Sequence, residues 1–201
     1  MSGYAAIADV SETIRTVLLQ EMQADPDLLS LFDLDERLSL QSPADLKTDN
    51  VARLSLYLYR ILEDPHAKNR NPVVSSGTSV RKAPLTLDLF YLLTPLLGQP
   101  REQQLALGKA MQSLYDRASL HGDDLLGTLA GGEPIRLILN PVTLEETTRV
   151  WQALEMSYRL SVCYIARVAL VNSGVEALYQ PVISRDAVVG ERRAPRKAVM
   201  Q

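Results

Sequence analysis

The chain has 201 residues, a mass of 22.3 kDa, a net charge of -3 and a pI near 5.5. With 46% hydrophobic and 22% charged residues it has the composition of one globular domain, not of a disordered chain, and its charge calls for neither nucleic acid nor an anionic membrane as partner. One cysteine, Cys163, excludes an intrachain disulfide and fits synthesis in a reducing cytoplasm.

Residues Ala5 to Gln23 read as a helix, with Ile7, Val10, Ile14, Val17, Leu18 and Met22 at helical spacing. The N-terminal stretch lacks a basic segment, and Asp9 and Glu12 interrupt it, so it is not read as a signal peptide. Asp25-Pro26 stops the helix, because proline disfavours a helical residue before it. Leu34 to Gln41 is predicted as a short strand ended by Ser42-Pro43. Val51 to Leu62 is predicted as a strand with two usable faces, Leu56 and Leu58 on one and Tyr57 and Tyr59 on the other. The polar stretch from His66 to Lys82 is predicted as a long exposed loop.

Leu85 to Leu97 alternates and reads as a further strand. Arg101 to Leu120 reads as a helix with Glu102 in its first turn and Leu105, Leu107, Met111 and Leu114 on its apolar side. His121-Gly122 is its expected stop, with His121 as a cation at the helix C-terminus. The segment through Gly127, Gly131 and Gly132 is read as a plain flexible loop, since it lacks the lysine and Ser/Thr of a phosphate-binding loop. Ile135 to Leu139 is a predicted strand. Thr143 and Glu146 have capping-box spacing for a helix from Leu144 to Ala153. Tyr158 to Val171 is a predicted central strand, and Val175 to Ile183 one more. The order predicts an α+β domain with a mixed or largely antiparallel sheet flanked by helices. No apolar run reaches the length of a bilayer span, so no membrane insertion is expected.

Catalytic groupings are missing from the sequence. His66 and His121 stand in no metal-ligand spacing, and Cys163 lies in an apolar strand as a small buried hydrophobe. The pairs Asp123-Asp124 and Glu145-Glu146 suit loops and first helical turns. No catalytic, cofactor or metal site is assigned, and the protein is read as a non-enzyme.

Charge is unevenly spread. Acids outnumber bases in residues 1–64, whereas the C-terminal stretch carries Arg185, Arg192, Arg193, Arg196 and Lys197 against Asp186 and Glu191. That polarity suits contacts between copies of one protein, and a solvated tail is the plain alternative. Because the tail has no interleaved aromatic residues, nucleic-acid binding is not expected.

Four stretches in order carry a family resemblance: the N-terminal helix from Tyr4; Arg53 to Asp64 followed by Asn69-Arg70-Asn71; Pro84 to Pro95 followed by Glu102 and Leu107-Gly108; and Leu144 to Leu154 followed by Tyr158 to Tyr164. Together they resemble the N-terminal domain of the cap proteins of contractile injection systems, over roughly residues 4–184. The resemblance implies a cap, or tail terminator: a homo-hexameric ring that closes the inner tube, touches the last layer of sheath, and belongs to the injection particle. Larger members carry a further C-terminal domain; this chain stops soon after the shared one. On that reading residues 1–184 are the cap domain and 185–201 a basic arm. Arg70, Arg81 and Lys82 of the polar loop, with Arg185, Arg192, Arg193, Arg196 and Lys197 of the arm, are the candidate partner-binding residues. A generic homo-oligomeric scaffold, or an enzyme with an unrecognised site, are the competing readings.

Overall fold

The computed structural model describes residues 3–65, 73–76, 79–174 and 176–178. Its first helix, α1 (Ala6–Ala24), follows a single 3-10 turn and buries Val10, Ile14, Val17, Leu18 and Met22 along one stripe. Asp25 is extended (φ -89°, ψ 119°), as a residue before proline must be, and the helix ends there.

A six-stranded sheet forms the centre. In chain order its strands are β1 (Leu38–Ser39), β2 (Leu54–Glu63), β5 (Leu85–Pro95), β6 (Ser119–Leu120), β7 (Ile135–Leu139) and β8 (Val162–Val171). They lie side by side as β1-β2-β5-β8-β7-β6, all antiparallel except the parallel β1-β2 pair. A separate three-stranded sheet joins β3 (Val73–Ser76), β4 (Ser79–Arg81) and β9 (Glu176–Leu178).

Strand β5 shows how the sheet separates two cores. Leu87, Leu89, Tyr91 and Leu93 point to one face, where α1 and α2 (Pro100–Asp116) close over them. Leu92 points to the other face, against Cys163 and Trp151 of α3 (Leu144–Ala153). A strand covered on both sides needs an apolar run, and Leu89 to Leu93 is one. Each fully buried large side chain contributes roughly 1.5–3 kcal/mol, so the larger α1/α2 core dominates stability. The two helices are also tied by charge: Lys109 lies 3.6 Å from Asp25, and Arg117 lies 2.9 Å from Glu21.

Helix α3 is defined by its ends. Thr143 Oγ1 accepts from the Glu146 N–H (3.2 Å), while Glu146 Oε2 accepts from the Thr143 N–H (2.9 Å), completing the predicted capping box. At the other end Glu155 turns to φ 53°, and the Met156 N–H reaches back to the Trp151 carbonyl (3.1 Å), a Schellman-type stop with Met156 packed beside Trp151.

The tertiary structure corrects several sequence expectations. The predicted strand 34–41 shrinks to Leu38–Ser39, preceded by a 3-10 turn, and Leu34 is exposed. Helix α2 ends at Asp116, not at Leu120. The next residues leave it because Leu120 is wholly buried and β6 bonds to β7, with the Leu137 N–H on the Ala118 carbonyl at 2.8 Å. His121 therefore opens a 3-10 turn (Gly122–Asp124) and is no helix C-terminal cation. Ala106 and Ala110 belong to the buried side of α2, whereas Leu105 is exposed. The polar stretch 66–82 is not a plain loop, since β3 and β4 pair within it and β4 pairs with β9. Strand β8 starts at Val162, later than expected, and the predicted last strand is described only at Glu176–Leu178.

Nor is the glycine segment a free loop. Gly127 has φ +60° and opens a 3-10 turn (Gly127–Leu129) held on α1. The Thr128 N–H and hydroxyl both donate to Asp9 Oδ2 (2.8 and 2.6 Å), and the Leu126 N–H donates to Thr13 Oγ1 (3.2 Å). A Cβ at position 127 would meet the Asp9 carboxylate at 2.6 Å, so only glycine allows this contact.

Candidate assembly interface

Of the predicted partner-binding residues, Arg70, Arg185, Arg192, Arg193, Arg196 and Lys197 lie outside the described residues. Arg81 is the last residue of β4, in register with Val73 on one side and Glu176 on the other. Lys82 follows it, exposed, on the rim of a shallow cleft lined also by Glu63, Leu85 and Val171. The structure thus puts Arg81 and Lys82 at one end of the main sheet, where the small sheet branches off.

The buried polar groups near the sheet are committed to structure. Arg167 grips Asp88 in a forked ion pair (Nε to Oδ1 3.0 Å, Nη2 to Oδ2 2.6 Å) across the β5-β8 irregularity, and Asp88 is buried. That hydrogen bonding raises the Arg167 pKa, so the pair stays charged. Tyr91 and Ser11 share a 2.8 Å hydrogen bond inside the larger core, and burial pushes the Tyr91 phenol up. Burial likewise raises the Cys163 thiol, which disfavours the reactive thiolate. Beside it, burial pushes the Tyr59 phenol up to about 12. Among the described residues no cluster of three or more His, Cys, Asp or Glu is placed to hold a metal ion. No helix among them is long and apolar enough to cross a membrane.

What the sequence reading missed is an apolar surface where α2, β7 and α3 meet. Tyr115 is 82% exposed and Leu144 68%, with Leu139 and Tyr158 about half exposed. Two adjoining hollows share Met111 and Leu139; one continues to Tyr115 and Leu114, the other to Leu144 and Tyr158. The surface is therefore continuous. Strand β7 adds an open edge there: β6 pairs only with Ile135 and Arg136, and Ile138 and Leu139 have no ladder partner on that side among the described residues. A continuous exposed apolar surface beside an unpaired strand edge marks a place for another chain. The sequence signal was Leu144, a leucine at the first position of a helix whose apolar stripe is led by Trp151.

The same strands show a second feature at the opposite edge. Strand β1 pairs with β2 only at Leu54 and Ser55. Beyond it Tyr59 and Arg60 face α3 across a cleft of about 460 Å³, lined also by Phe90, Glu146 and Arg149, and Tyr57 lines an adjoining hollow. The β2 irregularity between Leu58 and Arg60 lets Tyr59 and Arg60 straddle Phe90, with ring centroids 6.3 Å apart and the Arg60 guanidinium 5.4 Å from the ring centre.

Comparison with known proteins gives one consistent picture. The model of the Pvc16 N-terminal domain family matches residues 9–185. The fold is similar to the sheath/tube terminator of an extracellular contractile injection system, PVC, in its extended state: TM-score 0.59 and 16% identity, covering 94% of this chain and 65% of that one. It is also similar to the tube-terminating cap of the anti-feeding prophage, AFP: TM-score 0.54 and 18% identity, covering 84% of this chain and 62% of that one. The chain thus spans less than two thirds of the length of each of these structures. No curated protein matches it by sequence.

Proposed function

We propose, from the premise that the chain belongs to the Pvc16 N-terminal domain family, that it is a structural cap which ends the tube and sheath of a contractile injection particle. The observation that carries this reading is the shared fold, which takes in 94% of the chain and belongs to a sheath/tube terminator.

The physical task of such a protein is to stop an open assembly. Rings stacked head to tail present the same surface at every step, so growth has no internal end. A terminator binds the last ring with one surface and offers no copy of the growth surface beyond it. The apolar surface around Leu139, Leu144 and Tyr115 is suited to the first role, because its burial supplies binding energy that loose polar contacts do not. The ring expected of the family resemblance has six copies. Arg81 and Lys82, with Arg70, lie toward the sheath or tube lumen in this reading. The arm with Arg185, Arg192, Arg193, Arg196 and Lys197 docks on a neighbouring subunit, its arginines setting the register.

Light scattering on the purified chain, alone and with tube and sheath subunits, tests the proposal. A mass near six copies, or one reached only with those subunits, is expected; a monomer that ignores them overturns it. Particles assembled without the chain should carry tubes of uncontrolled length, measured by electron microscopy.

A further inference from the structure

The ring of the proposed function needs a contact between neighbours, and the structure offers two surfaces of opposite charge for it. The first is the cleft between β2 and α3. Arg60 forms no ion pair among the described residues; its guanidinium lies 5.4 Å from the Phe90 ring centre, and its charge reaches Glu146 across the cleft. Arg149, its counterpart across the cleft, has a 73% exposed side chain and an i,i+4 pair with Glu145 that costs little to exchange. Glu146 lines the cleft beside them, but its carboxylate is turned back onto the Thr143 cap. The cleft therefore presents positive charge over an aromatic floor.

The second surface is the segment between α1 and β1. Leu28 and Phe32 anchor it in the α1/α2 core. Leu29 and Leu34 are left about half exposed, and Asp35 and Glu36, which follow Leu34, are exposed; Arg15 lies near Asp35, donating to its carbonyl at 3.2 Å, and Glu36 enters no ion pair among the described residues.

The two surfaces lie on opposite faces of the sheet, because α1 and α3 do. One chain cannot join them to each other, and a contact between two copies leaves a cleft free on one and a loop free on the other. That is the head-to-tail pattern a ring requires. We propose that the β2-α3 cleft of one copy receives the Asp35-Glu36 loop of the next, with Arg60 and Arg149 facing the two carboxylates. The basic arm of a neighbour is a poorer occupant, since it would bring arginines against arginines.

The inference rests on the ring reading, and charge reversal tests it separately. The cleft variant, Arg60→Glu with Arg149→Glu, and the loop variant, Asp35→Arg with Glu36→Arg, change only exposed positions. Circular dichroism and thermal unfolding of both should match the parent. Each variant alone should self-associate at least about tenfold more weakly than the parent, by light scattering, because like charges then meet. Mixed one to one, the two should regain the parent's assembly, since every cleft again meets a loop of opposite charge. Variants that assemble alone as the parent does, or a mixture that stays dissociated, overturn the inference while a ring of the parent chain stands. A parent chain that never exceeds a monomer, even with tube and sheath subunits, overturns the ring itself.

Discussion

The two faces of one sheet are finished to different degrees. On the α1/α2 face, two long helices and the anchored Gly127 turn close over Leu54, Leu56, Leu89, Tyr91 and Leu93, and the core beneath is continuous. On the other face a single ten-residue helix covers Leu92 and Cys163 through Trp151, and leaves Arg60 and Leu144 open to solvent. The first face makes the domain fold; the second keeps only the packing it needs to hold α3 in place. Apolar and charged groups left open next to strand edges suit contacts with another chain, and a sheet with one sealed face can leave groups open on the other without losing its fold.

Replacing the anchor of the open face should have the largest effect on stability. Trp151→Ala should lower unfolding free energy by about 3–5 kcal/mol in urea titration, comparable with about 2–5 kcal/mol for Leu18→Ala in the sealed core. A loss below about 1 kcal/mol would mean that α3 is not part of the cooperative fold. Next comes Asp88→Ala, which removes the forked pair with the partly exposed Arg167 side chain and should cost about 1–2 kcal/mol. On the sealed face Gly127→Ala should cost about 1–3 kcal/mol, since it forces a side chain into φ +60° and against the Asp9 carboxylate.

Thr143→Ala removes the α3 cap and should cost about 1 kcal/mol. Its pH dependence sharpens the point. The bonds from Thr143 hold the Glu146 carboxyl below its ordinary value of 4.5. A depressed folded pKa stabilises the fold at pH values above the ordinary one, and that stability is lost as pH falls through the lowered pKa. Alanine keeps the backbone N–H and loses only the hydroxyl's bond to Glu146, so the difference between parent and Thr143→Ala should be largest above about pH 4.5 and shrink in part below it, followed by thermal unfolding. The smallest stability effect is expected from Leu144→Asp, within about 0.5 kcal/mol, because the side chain is exposed. Its effect on capping should be large: particles assembled with it should show ragged tube ends by electron microscopy. Normal ends would remove the apolar surface from the interface.

The sequence by itself determined the elements whose information is local. Helix α1 follows from a 3.6-residue apolar period that ends at Asp25-Pro26. Helix α3 follows from Thr143 and Glu146, and β7 from three alternating apolar residues. The ordered set of stretches was also enough for the family resemblance, because core spacing is written directly in residue order. What only the tertiary structure decided depends on distant partners. Leu120 leaves a good helix because β7 and the core lie beside it. The polar stretch pairs as β3-β4 because β9, nearly a hundred residues on, gives β4 a second edge. Gly127 is rigid because Asp9, on the first helix, reaches it. Arg60 and Arg149 share a cleft only because β2 and α3, far apart in the chain, meet across Phe90. Local preferences of a few tenths of a kcal/mol per residue give way wherever burial and a ladder of hydrogen bonds from elsewhere in the chain compete, and no single stretch of sequence carries those partners.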